Sequence, residues 1–181
     1  FANRYDYNPI EHIKSRLKSA ESIVMKLKKD GYEVTIENMM ECLSDIAGIR
    51  IICSFTSDIY QIAGMIAAQG DVTVLHVKDY IKNPKPNGYK SYHMVVTVPV
   101  YLTDGPVETK VEIQIRSVAM DFWASLEHKI AYKFEGNAPE NLLKELKACA
   151  DMVDILDAKM FSLNEAITAF AREQKERSEE S

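Results

Sequence analysis

The residues best suited to chemistry begin with 78–93, KDYIKNPKPNGYKSYH. This stretch sets Lys78, Lys82, Lys85 and Lys90 against a single acid, Asp79, in a chain of formal net charge −5. Three tyrosines and His93 are interleaved with the lysines. Pro84, Pro86 and the Asn87-Gly88 pair forbid a regular element in the middle, which makes the stretch a shaped loop between two strands. Flat rings beside flexible cations suit a ligand with a π-face and phosphates, a nucleotide. The same composition also describes a solvated hairpin carrying surface lysines. Elsewhere Lys18, Ser22 and Lys26 recur every four residues, where a solvated face would more usually place Glu between two lysines. Such a line can bind polyphosphate. Asp45 and Arg50 flank Gly48 and suggest either a metal-binding carboxylate with a stacking guanidinium, or a cap and a strand-edge arginine. Glu112 lies in an alternating row with Gln114 and Arg116.

The elements that must position these groups follow from periodicity. Residues 9–29 are expected to form a helix: Asn8 suits the N-cap, Pro9 the first turn and Glu11 a capping box. Ile10, Ile13, Leu17, Ala20, Val24 and Leu27 repeat at spacings of three and four, and Gly31 supplies the stop. A short helix over 37–43 precedes the apolar run 49–55, which reads as a central strand covered on both faces. Ile59, Ile62 and Ile66 mark the inner face of the next helix, which Gly70 ends. Strands are expected over 72–80, 91–100 and 110–116, with a turn at 103–106. In the last strand Val111, Ile113 and Ile115 alternate with Glu112, Gln114 and Arg116. Cover on both sides of the sheet would place Glu112 in a partly enclosed site.

A helix over 117–133 should turn Trp123, Leu126 and Ile130 inward. After a break at 136–139, with Asn137 as a cap, residues to about 175 contain neither Gly nor Pro. Leu142, Leu146, Cys149, Val153, Leu156, Met160, Leu163, Ile167 and Phe170 alternate spacings of four and three, a heptad seam that favours a partner subunit. The charged tail, 172–181, is expected to fray.

At 181 residues, 46% hydrophobic and 27% charged, the chain is an ordinary globular one with ample core. Mild acidity argues against duplex-DNA binding, and no apolar run is long enough to cross a bilayer. Three widely spaced cysteines form neither a disulfide framework nor a zinc pattern, which points to a reducing, cytoplasmic compartment. Cys42 and Cys53 sit among apolar neighbours and are expected to be buried.

Five motifs occur in order: Arg16-x-Lys18-x3-Ser22-x3-Lys26; Asp45-Ile-Ala-Gly-x-Arg50; Lys78-Asp-Tyr-Ile; Pro84-Lys85-x-Asn87-Gly88-Tyr89-x-Ser91-x-His93; and Val111-Glu112-Ile-Gln114-Ile-Arg116. Together, over residues 8–135, they resemble the synthetase domain of the RelA/SpoT family, and most closely its short stand-alone members, the small alarmone synthetases. The resemblance implies an α+β fold, a mixed and largely antiparallel sheet flanked by helices and related to nucleotidyltransferases. It implies a synthetase domain over 1–135 and a C-terminal helical extension over 136–181 that joins subunits, a tetramer by family likeness. It also implies transfer of the β,γ-pyrophosphate of ATP to the 3′-hydroxyl of GDP or GTP, yielding AMP and the alarmone ppGpp or pppGpp of the stringent response.

By motif position, the resemblance assigns Arg16 and Arg50 to the adenine and Lys18, Ser22 and Lys26 to the ATP phosphates. Asp45 and Glu112 would bind Mg²⁺ and serve catalysis, Glu112 also being placed to assist deprotonation of the attacking 3′-hydroxyl. Tyr89 would stack on guanine and Asn87 would bond to it; Lys78, Lys85, His93 and Gln114 would contact acceptor phosphates or ribose. The physics of phosphoryl transfer agrees, because positioning and charge neutralisation dominate it, and no Walker A loop is present. Neither the His-Asp dyad nor the length of a hydrolase domain is found, so synthesis alone is expected. His76 stands where long members carry Arg. Activation by the alarmone, or regulation by RNA, is a possibility the resemblance raises without an obvious match in this chain. A relative that modifies the 3′ end of tRNA, and a non-catalytic nucleotide- or RNA-binding module, are the competing readings.

Overall fold

The structure, a computed structural model, describes residues 8–133 and 138–179. The element order is β1 (Ile10–Leu17), α1 (Ala20–Lys29), α2 (Ile36–Cys42), β2 (Ala47–Cys53), α3 (Thr56–Ala67), β3 (Thr73–Asp79), β4 (Tyr92–Leu102), β5 (Gly105–Ser117), α4 (Val118–Lys133) and α5 (Glu140–Glu179). The chain divides into two compact units. One contains the sheet and extends to Lys85, resuming at Lys90–Val118; the other contains Pro86–Tyr89 and the chain from Ala119 onward.

The five strands lie in the order β1-β2-β5-β4-β3. Only β2 and β5 run parallel; the other neighbours are antiparallel. The sheet is therefore mixed and largely antiparallel, as expected. The β4–β5 hairpin is its longest ladder and turns through Gly105, whose φ of +117° lies in a region that favours glycine. The apolar run of β2 ends in buried Ile51, Ile52 and Cys53, and α3 packs Ile59 and Ile62 on the β2 and β5 side of the sheet. Met94, Val96, Ile113 and Ile115 complete this core.

The expected helix over 9–29 is not one element. Its first half is the strand β1, paired antiparallel to β2 from Ile10↔Cys53 to Leu17↔Ala47. The Asn8 side chain does accept an amide, that of Ile10 at 3.1 Å, but this bond leads into a strand. The helix starts later, capped by Ser19, whose hydroxyl accepts from the Ser22 amide. The cause is tertiary. Without β1, one edge of β2 would leave a row of amides and carbonyls unpaired beside its most apolar run. The stripe also breaks at the junction, since Leu27 is buried while Ile13 and Leu17 stay exposed.

In the helical unit, buried Trp123, Ala124 and Ala150 form a cluster against which Tyr89 and Val153 pack. The Trp123 indole donates to the Leu146 carbonyl at 2.9 Å. Trp123 is thus the core anchor the sequence suggests, whereas Leu126 and Ile130 are more open than expected. Gly88 joins this cluster at a φ of +89°. The helix α5 keeps its form through the charged tail to Glu179 instead of fraying at 172. The expected cap at Asn137 lies outside the described residues. Cys42, at the end of α2, is exposed; only Cys53 of the two is buried.

Candidate active site

Strand register gathers the polar residues of distant motifs into two adjacent rows across all five strands. One row runs Arg16–Gly48–Glu112–Val95–His76 and the next Lys14–Arg50–Gln114–His93–Lys78. Neighbouring members of the two rows are two residues apart on each strand, so both rows face the same side. Arg16, Arg50, Lys78, His93, Glu112 and Gln114 all come from this surface, although up to 98 positions separate them in the chain.

Two hollows open on it, and Glu112 lines both. The first, of about 280 Å³, is walled by Lys14, Ser15, Arg16, Gly48, Ile49, Arg50, Glu112 and Gln114. Gly48 creates room here: a methyl on its backbone would come within 3.5 Å of Arg16 Cγ. The second, of about 250 Å³, is lined by Lys26, Ser44, Asp45, His76, Lys78, Tyr80, Lys85, His93, Val95 and Glu112.

Asp45, in the turn before β2, is held by two cations. Lys18 Nζ donates to its Oδ2 at 2.6 Å and Lys26 Nζ to its Oδ1 at 2.8 Å. Lys18 immediately precedes the cap of α1, and Ser22 and Lys26 lie on that helix, with the Ser22 hydroxyl accepting from Ser19. Burial works against ionisation of Asp45, but its bonds to Lys18 and Lys26 and their charges outweigh this and hold its carboxyl below 3.8. Glu112 Oε1 lies 3.5 Å from His93 Nδ1, and Glu112 Oε2 accepts from Gln114 Nε2 at 3.1 Å. The His93 contact is the largest influence and lowers the Glu112 carboxyl below 4.5, against opposing burial and the negative charge of Asp45. Both carboxylates are therefore ionised at neutral pH.

Gln114, expected to contact the acceptor, bonds to Glu112 and to two arginines. Its Oε1 accepts from Arg50 Nη2 at 3.4 Å and from buried Arg116 Nη2 at 3.3 Å. Over the second hollow, Lys85 Nζ lies 4.9 Å from the Tyr80 ring centre, and that ring meets His93 edge-on at 5.2 Å. Asn87 and Tyr89 belong to the helical unit. There Asn87 Nδ2 donates to Glu127 at 3.2 Å, and its Oδ1 accepts from the Tyr89 amide at 3.1 Å.

Gly48, Lys14, Ser15, Tyr80 and Arg116 were not singled out for a role from sequence. For Arg116 the alternation in β5 was a usable signal, since it shares a face with Glu112 and Gln114. Nothing local marks Gly48 as the floor of a hollow; that depends on Arg16, 32 residues earlier, being its strand partner.

Residues 15–137 match the model of the region found in RelA/SpoT proteins. GTP pyrophosphokinase YwaC of Bacillus subtilis is 51% identical over 90% of this chain and 78% of its own. GTP pyrophosphokinase YjbM of the same organism is 38% identical over 94% of this chain and 81% of its own. The crystal structure of small alarmone synthetase 1 from B. subtilis bound to its product pppGpp superposes with a TM-score of 0.82 at 36% identity, covering 92% of this chain and 84% of that one.

Proposed function

This chain belongs to the RelA/SpoT family, and from that premise we propose that it is a GTP pyrophosphokinase that transfers the β,γ-pyrophosphoryl group of ATP to the 3′-hydroxyl of GDP or GTP. One observation carries the reading: Glu112 forms the shared wall between an arginine-lined hollow and a lysine- and histidine-lined one. A donor nucleotide and an acceptor nucleotide need two such places with a carboxylate between them.

In this assignment Arg16 and Arg50 hold the adenine between their guanidinium planes. Lys18, Ser22 and Lys26 take the ATP phosphates, helped by the positive end of α1. Lys78, Lys85 and His93 bind the acceptor's phosphates and ribose, while Tyr89 stacks on guanine and Asn87 bonds to its edge. Gln114 keeps Glu112 and Arg50 in register. The acceptor 3′-oxygen attacks the β-phosphorus of ATP, the bond from that phosphorus to the α,β-bridging oxygen breaks, AMP departs, and the hydroxyl's proton passes to the Glu112 carboxylate and on to solvent. A carboxylate held ionised by His93 and Gln114 is a weak base, so Glu112 contributes by orienting the hydroxyl and taking its proton as the bond to phosphorus forms.

Asp45 and Glu112 line one hollow, and no group of three or more His, Cys, Asp or Glu suited to a metal occurs among the described residues. That donor set fits Mg²⁺, which takes one or two carboxylates and fills its octahedron with phosphate oxygens and water. When bound, the ion supplies neutralisation of charge on the transferring group.

The three thiols are unpaired, which fits a reducing cytoplasm, and no helix among the described residues is long and apolar enough to cross a membrane. On α5, Leu156, Met160, Leu163, Ile167 and Phe170 are exposed along the heptad seam. This supports association of copies, a homotetramer by family likeness.

Incubating the protein with ATP, Mg²⁺ and either GDP or GTP should release AMP together with ppGpp or pppGpp, separable by anion-exchange chromatography. Including tRNA as a rival acceptor covers the other chemistry. Absence of AMP with every acceptor would overturn the assignment.

A further inference from the structure

Four residues beside the nucleotide hollows have side chains that point to a different task. Asp79 closes β3, and its Oδ1 accepts the amides of Ile81 and Lys82, each at 3.0 Å. Its main-chain oxygen accepts from the Asn83 amide at 3.1 Å. One side chain thus sets the turn that carries the backbone from the sheet toward Lys85. Its other oxygen is held from a separate element, since the Tyr60 hydroxyl of α3 donates to Asp79 Oδ2 at 3.1 Å. The Tyr60 ring is itself fixed on two sides. Tyr92, the strand partner of Asp79, meets it edge-on at 5.7 Å, and the Lys82 ammonium lies 5.4 Å from its centre. Burial, with the Asp79 carboxylate adding to it, pushes the Tyr60 phenol up to about 12, so the hydroxyl keeps its proton and remains a donor at neutral pH.

None of Tyr60, Asp79, Lys82 or Tyr92 lines the second hollow, but the segment they fix does. The Tyr80 amide donates to Ser91 O at 3.0 Å, and the Tyr80 ring then sits between Lys85 and His93, all three lining that hollow. We infer that Tyr60 and Asp79 are a positioning pair for the acceptor nucleotide: the hydrogen bond from α3 to the end of β3 holds Tyr80 and Lys85 where the acceptor binds. This rests on the assignment of the second hollow to the acceptor. It also accounts for Lys82 and Tyr92, which serve the brace and not the ligand.

The test is a KM split. Tyr60→Phe keeps the ring and removes only the donor, so the KM for GDP should rise about tenfold, the value of one lost hydrogen bond to a charged group. The KM for ATP should stay within about twofold, since the ATP groups lie on other elements. Asp79→Asn, which keeps an oxygen for the two amides, should shift the GDP KM less than Asp79→Ala does. An unchanged GDP KM in Tyr60→Phe, an equal rise in both KM values, or Asn behaving like Ala would overturn the inference. Equilibrium dialysis with GDP alone separates it from the assignment of the reaction. If wild type binds GDP about tenfold more tightly than Tyr60→Phe but forms no AMP, the pair stands and the reaction falls.

Discussion

The Lys18 ammonium lies 2.6 Å from Asp45 Oδ2, and Lys26 holds the other oxygen of the same carboxylate at 2.8 Å. The cations assigned to the ATP phosphates thus rest on the acid assigned to the metal, a charge-matched arrangement in which binding of the donor exchanges one anion for another. The lowered Asp45 carboxyl has a consequence for stability. A depressed carboxylate contributes stability that is fully present above its unfolded value, here 3.8, and is lost as pH falls through the lower folded value. Asp45→Asn should therefore flatten the acid limb of the profile below 3.8. Thermal unfolding followed by circular dichroism between about pH 6 and about pH 2 measures it; parallel profiles for the two proteins would contradict the pairing.

Glu112→Gln is nearly isosteric and removes only the charge. Turnover should fall by at least about 10²-fold, the scale on which single electrostatic groups act at reacting centres. ATP binding should remain, because the groups assigned to ATP, Arg16 and Arg50 on β1 and β2 and Lys18, Ser22 and Lys26 at and on α1, are left in place. Product chromatography and isothermal titration read these separately. Activity above about a tenth of wild type would remove Glu112 from the centre of the reaction.

Gly88→Ala faces two penalties at once. The backbone φ is +89°, and the new methyl would stand 2.6 Å from Ala150 Cβ, a group with no freedom to move aside. A cost of about 1–3 kcal/mol follows, equivalent to a Tm lower by roughly 2–10 °C for a chain of this size. Differential scanning calorimetry decides it, and an unaltered Tm would mean that the loop repacks freely.

Light scattering should report an oligomer for the wild type. A charge at Ile167, 66% exposed on α5, should break it: Ile167→Asp is expected to run at the mass of one chain without loss of helix. A wild-type mass equal to one chain would exclude association through this seam.

How much of this was legible from sequence depended on distance along the chain. Residues 78–93 could be read as a shaped loop between two strands because their composition is local, and the alternation 110–116 because a strand's two faces are written in consecutive residues. β1 could not. Ile10, Ile13 and Leu17 keep helical spacing, and only pairing with Ala47–Cys53 makes them a strand. The same holds for Gly48, which meets Arg16 only as its strand partner, and for Gln114, which reaches Arg50 only across the parallel β2–β5 pair. Cys42 shows the limit from the other side: an apolar neighbourhood in sequence became an exposed helix end.

Pro86–Tyr89, four residues between β3 and β4, belong with the helices that follow Val118. Tyr89 packs on Trp123, Ala124 and Ala150, and Asn87 bonds to Glu127, so the partners of this loop come from the last third of the chain. Ribosomal synthesis reaches that loop long before its supports, and its packing is complete only when α5 has been made. A chain cut short after the sheet would keep Lys78, Lys85, Asp45 and Glu112 while losing the residues on which Tyr89 packs. Under the proposed assignment, what such a fragment loses first is recognition of guanine.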